Sequence, residues 1–287
     1  MILGATLTRL SRPDGLWPTG ISPRTVRIPT LHWYDVETAL GVYDWTKADA
    51  IFGKIPADVE VLLAFSGIAP CYSMRPDEAY RNKSFPNGTQ TAPTDLAALA
   101  RYIRELLVRY PQIKFVEGWN EPNASFTGTI DELVEIQRTI NSTVRAYNRI
   151  NGTDIKVLSP KWGFDPVGIM AFEEFFGRTG AYDIIAFHST PKTLDPMEFH
   201  CMMFQLKQLR QRFPKIADRP WWSVEGGWHG FSAMPTEQQI SLLQMAHSIL
   251  SPYADRWYHF AYDEATMGFM GNAAVEAAFN GLNLQGA

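Results

Sequence analysis

The chain is short of cysteine, of one-signed charge and of long apolar runs, and each shortage closes off a class of function. Cys71 and Cys201 are the only cysteines. Two make neither a disulfide framework nor a metal-ligand spacing. Lys and Arg number 26 against 30 Asp and Glu, a net charge of −4, and the pI is about 5.9. That balance offers no basic surface to nucleic acid or to an anionic membrane. No apolar run approaches the roughly 18 residues of a membrane span, so no membrane insertion is expected. No charged segment followed by an apolar one opens the sequence, so no leader is visible. The compartment stays open between a cytoplasmic protein and a secreted or periplasmic one that has lost its leader.

Several reaction signatures are missing too. There is no His-Glu-x-x-His, no Cys-x-x-Cys and no carboxylate cluster at ligand spacing, so no metal is called for. No Gly-rich phosphate loop follows the first apolar run and no dinucleotide fingerprint occurs, so no cofactor is expected. The Gly-x-Ser-x-Gly elbow of serine hydrolases is also lacking.

What is present is a globular composition. Of 287 residues, 46% are hydrophobic, enough for one large core. Aromatics reach 13%, with nine tryptophans. Many must be core, but a surplus of Trp also suits sugars, whose C–H faces stack on rings. Eight apolar runs read as buried strands: 2–6, 25–30, 59–66, 113–120, 155–160, 183–188, 221–225 and 256–262. Helical patterns lie between them at 46–54, 95–110, 130–150, 169–178, 197–213, 236–251 and 273–280. The clearest is 95–110, with Thr94 or Asp95 to cap it and Pro111 after its end. Strands alternating with helices imply parallel pairing. Eight such units imply a (β/α)₈ TIM barrel, one α/β domain over residues 1–287.

In that fold, active sites form at the C-terminal ends of the strands. Asn120 and Glu121 end the fourth predicted strand, within Phe-Val-Glu-Gly-Trp-Asn-Glu-Pro-Asn (115–123). Glu225 ends the seventh, within Trp-Trp-Ser-Val-Glu-Gly-Gly-Trp (221–228). Two carboxylates at strand ends are what glycosidic bond cleavage requires. Arg27 on the second strand, Trp162 after the fifth, His188 ending the sixth and Tyr262 ending the eighth can reach the same mouth. Trp33, Trp119, Trp162, Trp222 and Trp228 flank strand ends, where each could line a sugar subsite or simply pack. Glu117 lies four residues before Glu121, an inward-facing position that asks for a buried cation.

The Trp-Asn-Glu-Pro of the fourth strand, with a second glutamate ending the seventh, resembles the clan of retaining β-glycosidases built on (β/α)₈ barrels. Gly-Val-Tyr-Asp-Trp-Thr-Lys-Ala-Asp (41–49) is similar to the Gly-x-Tyr-Asp-Trp stretch of glycoside hydrolase family 39, the β-xylosidases, α-iduronidases and exopolysaccharide hydrolases. The resemblance implies that Glu121 protonates the leaving oxygen and later deprotonates water. It implies that Glu225 attacks the anomeric carbon, at a carboxyl separation of roughly 5–5.5 Å. Asn120 would bond the sugar 2-hydroxyl, Arg27 would keep Glu225 ionised, and His188 would be the strand-six histidine of the site. Two positions depart from the family pattern: Thr190 stands where a Tyr often follows the histidine, and Tyr262 is the nearest stand-in for the strand-eight Trp.

These readings imply hydrolysis of a β-linked oligo- or polysaccharide by a monomer. A chain this short leaves little beyond 67–94 and 189–198 to close a pocket. An open cleft and endo-cleavage of a polysaccharide, such as a bacterial exopolysaccharide, are expected, with 67–94 as one cleft wall. The alternatives are a catalytically silent carbohydrate-binding barrel, an exo-acting β-xylosidase-like enzyme, and an inverting or transglycosylating one.

Overall fold

The computed structural model describes residues 1–79, 85–162, 166–213, 216 and 218–285. Part of the expected cleft wall, residues 80–84, therefore lies outside the described residues. Eight strands pair in parallel: β1 (Ile2–Thr6), β2 (Thr25–Ile28), β3 (Glu60–Phe65), β4 (Ile113–Trp119), β5 (Lys156–Leu158), β6 (Ile185–Ser189), β7 (Trp221–Gly226) and β8 (Arg256–His259). Each pairs with the next in the sequence except β5 with β6, and β1 pairs with β8. Parallel bridges Leu158–Ile184 and Trp162–Phe187 join β5 to β6 and complete the (β/α)₈ barrel.

The helices α1 (Thr46–Phe52), α2 (Leu96–Arg109), α3 (Ile130–Asn151), α4 (Pro166–Arg178), α5 (Pro196–Arg212), α6 (Thr236–Leu250) and α7 (Ala273–Gln285) follow the expected order. Asp95 caps α2 by accepting from the amides of Ala97 and Ala98. For α3 the cap is Thr129, in a reciprocal capping box with Glu132.

Alternation along the strands divides the core in two. Outward side chains such as Val26, Val61, Val116, Val157, Ile185 and Trp257 pack under the helices. The barrel interior holds Leu62, Phe115, Leu158, Ile184, Ala186, Trp222, Val224 and Tyr258. This two-residue period sends Arg27, Glu117 and His188 inward as well.

The expected strand ends ran long. β8 stops at His259 and β5 at Leu158. Small elements that were not expected include a helical turn at Trp33–Val36, a hairpin of Glu37–Ala39 with Val42–Tyr43, and a helical turn at Pro122–Ser125. The hairpin is where Gly-Val-Tyr-Asp-Trp lies. Gly41 takes φ +71° at its turn, a conformation that favours glycine. Its amide donates to the buried Glu37 at 2.9 Å. Glu37 also accepts from Trp33 Nε1 at 2.7 Å and from Tyr72 at 2.8 Å. Tyr43 and Trp45 stack on each other, and the Arg109 guanidinium lies over Trp45. The motif is a packing device on the flank of the barrel.

Candidate active site

The site begins with the local structure at the end of β4. Gly118 faces outward, where a Cβ would stand 2.2 Å from Gln137 Oε1 and 2.7 Å from Pro160 N. No larger residue fits between the strand, α3 and the β5 loop. Trp119 is buried, and its Nε1 donates to Ser125 at 3.0 Å. The Ser125 hydroxyl in turn lies 2.7 Å from the carbonyl of Asn120 and 3.0 Å from that of Glu121. The Asn120 amide donates to the Phe65 carbonyl at 2.9 Å, and that of Glu121 to the Lys161 carbonyl at 3.1 Å. Glu121 adopts φ 50°, ψ 57°, and is the non-glycine residue with positive φ among those described. This left-handed turn stops the strand and starts the short helix at Pro122.

Arg27 is the hub, with no exposed surface. Its Nε and Nη2 grip Glu117 at 2.7 and 3.1 Å. Nη2 also donates to Asn120 Oδ1 at 2.7 Å, and Nη1 to Glu225 Oε2 at 3.1 Å. The contact with Asn120 fixes its amide, because the oxygen faces Arg27 and the nitrogen remains to donate elsewhere. Burial opposes the charge on Arg27, but Glu117 first and Glu225 second outweigh it and push its pKa up. Glu117 is thus the interior carboxylate with a buried cation that its position asked for.

His188 stands between the two strand-end carboxylates. Its Nδ1 is 3.1 Å from Glu121 Oε1 and its Nε2 is 3.3 Å from Glu225 Oε2. The second contact is close but not directed as a hydrogen bond, so it is a charge contact that counts when His188 is protonated. The Glu121 side chain is 43% exposed and that of Glu225 15%, so one carboxyl meets solvent while the other is held below it.

Sequence reasoning missed Lys161. It is fully buried, and its Nζ bonds Glu225 Oε2. A parallel bridge to Asn120 sets it on the rim. Burial, then Arg27, pull its pKa below the usual lysine range, and Glu225, Glu121 and Glu117 oppose this. The signal was available: a lysine ends an apolar strand in Leu-Ser-Pro-Lys-Trp (158–162), next to the Trp162 that was singled out.

The structure thus brings Arg27, Asn120, Glu121, His188 and Glu225 together. The aromatic subsite expectations do not hold. Trp33 has no exposed surface and stacks on both Tyr72 and Tyr102. Trp228 is buried, stacked on Phe231 and tilted on Phe199. Trp162 is 3% exposed and tilted on Phe175. Tyr262 is buried and donates its hydroxyl to Glu276 at 2.5 Å. None presents a ring face to a sugar. At the eighth strand the aromatic that keeps partial exposure is Phe260, whose amide donates to Gly226 at 2.7 Å, beside Glu225. Among the described residues no group of three His, Cys, Asp or Glu is placed to hold a metal.

No family model and no curated protein matches the sequence. Solved structures do match in fold. A GH39 enzyme from Xanthomonas axonopodis pv. citri superposes with a TM-score of 0.66 at 15% identity, over 98% of this chain and 66% of that one. A structure of fungal β-1,4-galactanases gives 0.64 at 13%, over 97% and 98%. A GH128 endo-β-1,3-glucanase from Amycolatopsis mediterranei, solved with laminaripentaose, gives 0.56 at 11%, over 97% and 98%. The shared fold is that of TIM-barrel glycoside hydrolases from several families.

Proposed function

We propose that the protein is a retaining glycoside hydrolase that cleaves β-glycosidic bonds by double displacement. The observation that carries this reading is the pair of carboxylates at the ends of β4 and β7, held to either side of His188 and unequally exposed. Glu225, held in place by buried Arg27 and Lys161, acts as nucleophile. Glu121, more exposed and next to His188, delivers a proton to the leaving oxygen and later takes one from water. Asn120, with its amide oxygen held by Arg27, points a donor at a sugar hydroxyl.

Endo action on a polysaccharide is a finer part of this reading, and the likeness in fold to an endo-β-1,3-glucanase and to β-1,4-galactanases supports it. Because structures from several families fit comparably, family 39 is likewise a finer part of this reading and rests on the sequence motifs.

A screen of purified β-glycans by reducing-end release tests the activity. Glu225→Gln should lower turnover on the order of 10⁴-fold or more while glycan binding persists. Glu121→Gln should cost roughly 10²–10⁴-fold, least on substrates with activated leaving groups. Binding without cleavage by the unaltered protein would instead establish a carbohydrate-binding barrel. Proton NMR of the first-formed anomer checks retention, and release of only monosaccharide from the outset would refute endo action.

A further inference from the structure

Lys161 is the buried ionisable group at this site that the sequence patterns did not supply. Its geometry is asymmetric. Arg27 Nη1 and Lys161 Nζ both bond the same oxygen of Glu225, Oε2, and His188 Nε2 approaches it at 3.3 Å. Among the described residues none donates to Oε1. Arg27 has a second carboxylate in Glu117, bound through two nitrogens. The hydrogen-bond partner of the Lys161 ammonium is Glu225, and the lysine has no exposed surface.

We propose that Lys161 is a positioning residue that reserves Glu225 Oε1 for attack and drives breakdown of the glycosyl-enzyme. This rests on the double-displacement reading above. In the first step an electron pair of Oε1 forms the bond to the anomeric carbon. The bond from that carbon to the leaving oxygen breaks, and the departing oxygen takes the Glu121 proton. Glu225 is then a neutral ester with Oε2 as its carbonyl. Arg27 still faces Glu117, but the Lys161 ammonium, which has no exposed surface, has lost its anion. In the second step water bonds to the anomeric carbon and gives its proton to Glu121. The electron pair of the broken ester bond returns to Glu225, and the ammonium again meets a full charge. A cation that binds carboxylate better than ester stabilises this second transition state relative to the intermediate. It also tempers the nucleophile in the first step, so its two effects oppose each other in sign.

The test compares wild type with Lys161→Met on 2,4-dinitrophenyl β-glycosides of mono- and disaccharides, using the one that wild type cleaves fastest. Breakdown of the ester should slow in the variant, so that kcat and KM both fall roughly 10–100-fold while kcat/KM changes less than about threefold. Intact-mass measurement of rapidly quenched turnover should find a larger glycosylated fraction in the variant. A fall in kcat/KM with no added adduct means the lysine is merely structural, and overturns the proposal. A second measurement needs no variant: a crystal structure of wild type trapped with a 2-fluoro-glycoside. The sugar should be bonded to the oxygen turned away from Lys161, and a bond to the oxygen facing Lys161 overturns the proposal. In both cases an adduct on Glu225 leaves the hydrolase reading standing. Failure of wild type to form any adduct with any probe, or an adduct on another residue, defeats that reading and this one together.

Discussion

The barrel holds an arginine at each end of its interior, and the two are stabilised in opposite ways. Arg256, at the start of β8, stacks its guanidinium 4.6 Å from the ring centre of Phe115 and 4.4 Å from that of Trp222. Its one carboxylate, Glu60, is 40% exposed. Arg27, near the end of β2, is sealed from water and needs Glu117, Asn120 and Glu225 to satisfy it. The apolar layer of Leu62, Leu158, Ile184, Ala186 and Val224 belongs to the interior between them. An arginine that reaches solvent can plug the barrel with two rings and one partly exposed carboxylate, because water carries part of the charge. One that cannot must be surrounded by anions, and that arrangement also fixes the carboxylate proposed to react. The same side chain is a stopper at one end and an organiser of chemistry at the other.

The sharpest way to break this contrast is Arg27→Met. It leaves Glu117 buried with no exposed surface and without its cation, and should cost about 3–5 kcal/mol in urea unfolding. Adding Glu117→Leu should recover much of that loss, since an apolar pair can replace a buried ion pair at little cost. Unfolding of the single variant within 1 kcal/mol of wild type would mean that the charges at this end are solvated after all.

A smaller effect tests burial of a neutral group at the same end. His259 closes β8 with no exposed surface. Its Nε2 is 3.1 Å from the Met267 carbonyl, and its Nδ1 has no partner. Burial pulls its pKa down from 6.5 to about 4. The folded state therefore holds a neutral imidazole where the unfolded chain would bind a proton. The stabilisation is complete above the unfolded value and is lost as pH falls from 6.5 towards 4, up to about 3 kcal/mol. His32 is lowered to about 4, also chiefly by burial, and adds to the slope. Melting temperatures measured from pH 7 to pH 4 should fall more steeply in wild type than in His259→Gln. Parallel curves would remove His259 from the account.

How much of this was legible in the sequence follows from how local each cause is. The eight strands and the long helices were readable because their apolar periods repeat over many residues. The places of Arg27, Glu117, Asn120, Glu121, His188 and Glu225 were readable because a strand end in a barrel points at one rim. The aromatic subsites were misread because sequence says that Trp33, Trp162, Trp228 and Tyr262 are near strand ends, not which neighbours cover them. Tyr72 and Tyr102, which sandwich Trp33, lie 39 and 69 residues further along the chain. Lys161 was passed over because a lysine after a strand is ordinarily at the surface. Only the three-dimensional meeting of β4, β5 and β7 shows that it is sealed against Glu225. At the eighth strand the partly exposed aromatic is Phe260, two residues before Tyr262 and just past the end of β8 at His259.

Glu121 allows stability and activity to be separated at the reactive end. Its left-handed backbone, φ 50°, costs a residue with a Cβ about 1–2 kcal/mol relative to glycine. Glu121→Gly should therefore unfold later by about 1 kcal/mol while glycan hydrolysis is lost. A destabilised glycine variant would show that contacts of the Glu121 side chain, the one to His188 among them, outweigh the strain.

The smallest effect belongs to the other arginine, and it completes the comparison. Arg256→Met gives up two ring contacts and a partly exposed pair with Glu60. Glu60 then returns to water at little cost, and methionine still fills the space between Phe115 and Trp222. The expected loss is about 1 kcal/mol, from the cation–π contacts and a solvent-screened ion pair. Turnover should be unchanged, because the apolar layer separates this end from Glu121 and Glu225. A loss as large as that of Arg27→Met would imply that Arg256 is as poorly solvated as Arg27. The contrast between stopper and organiser would then rest on which carboxylates surround each arginine, and access to water would not explain it.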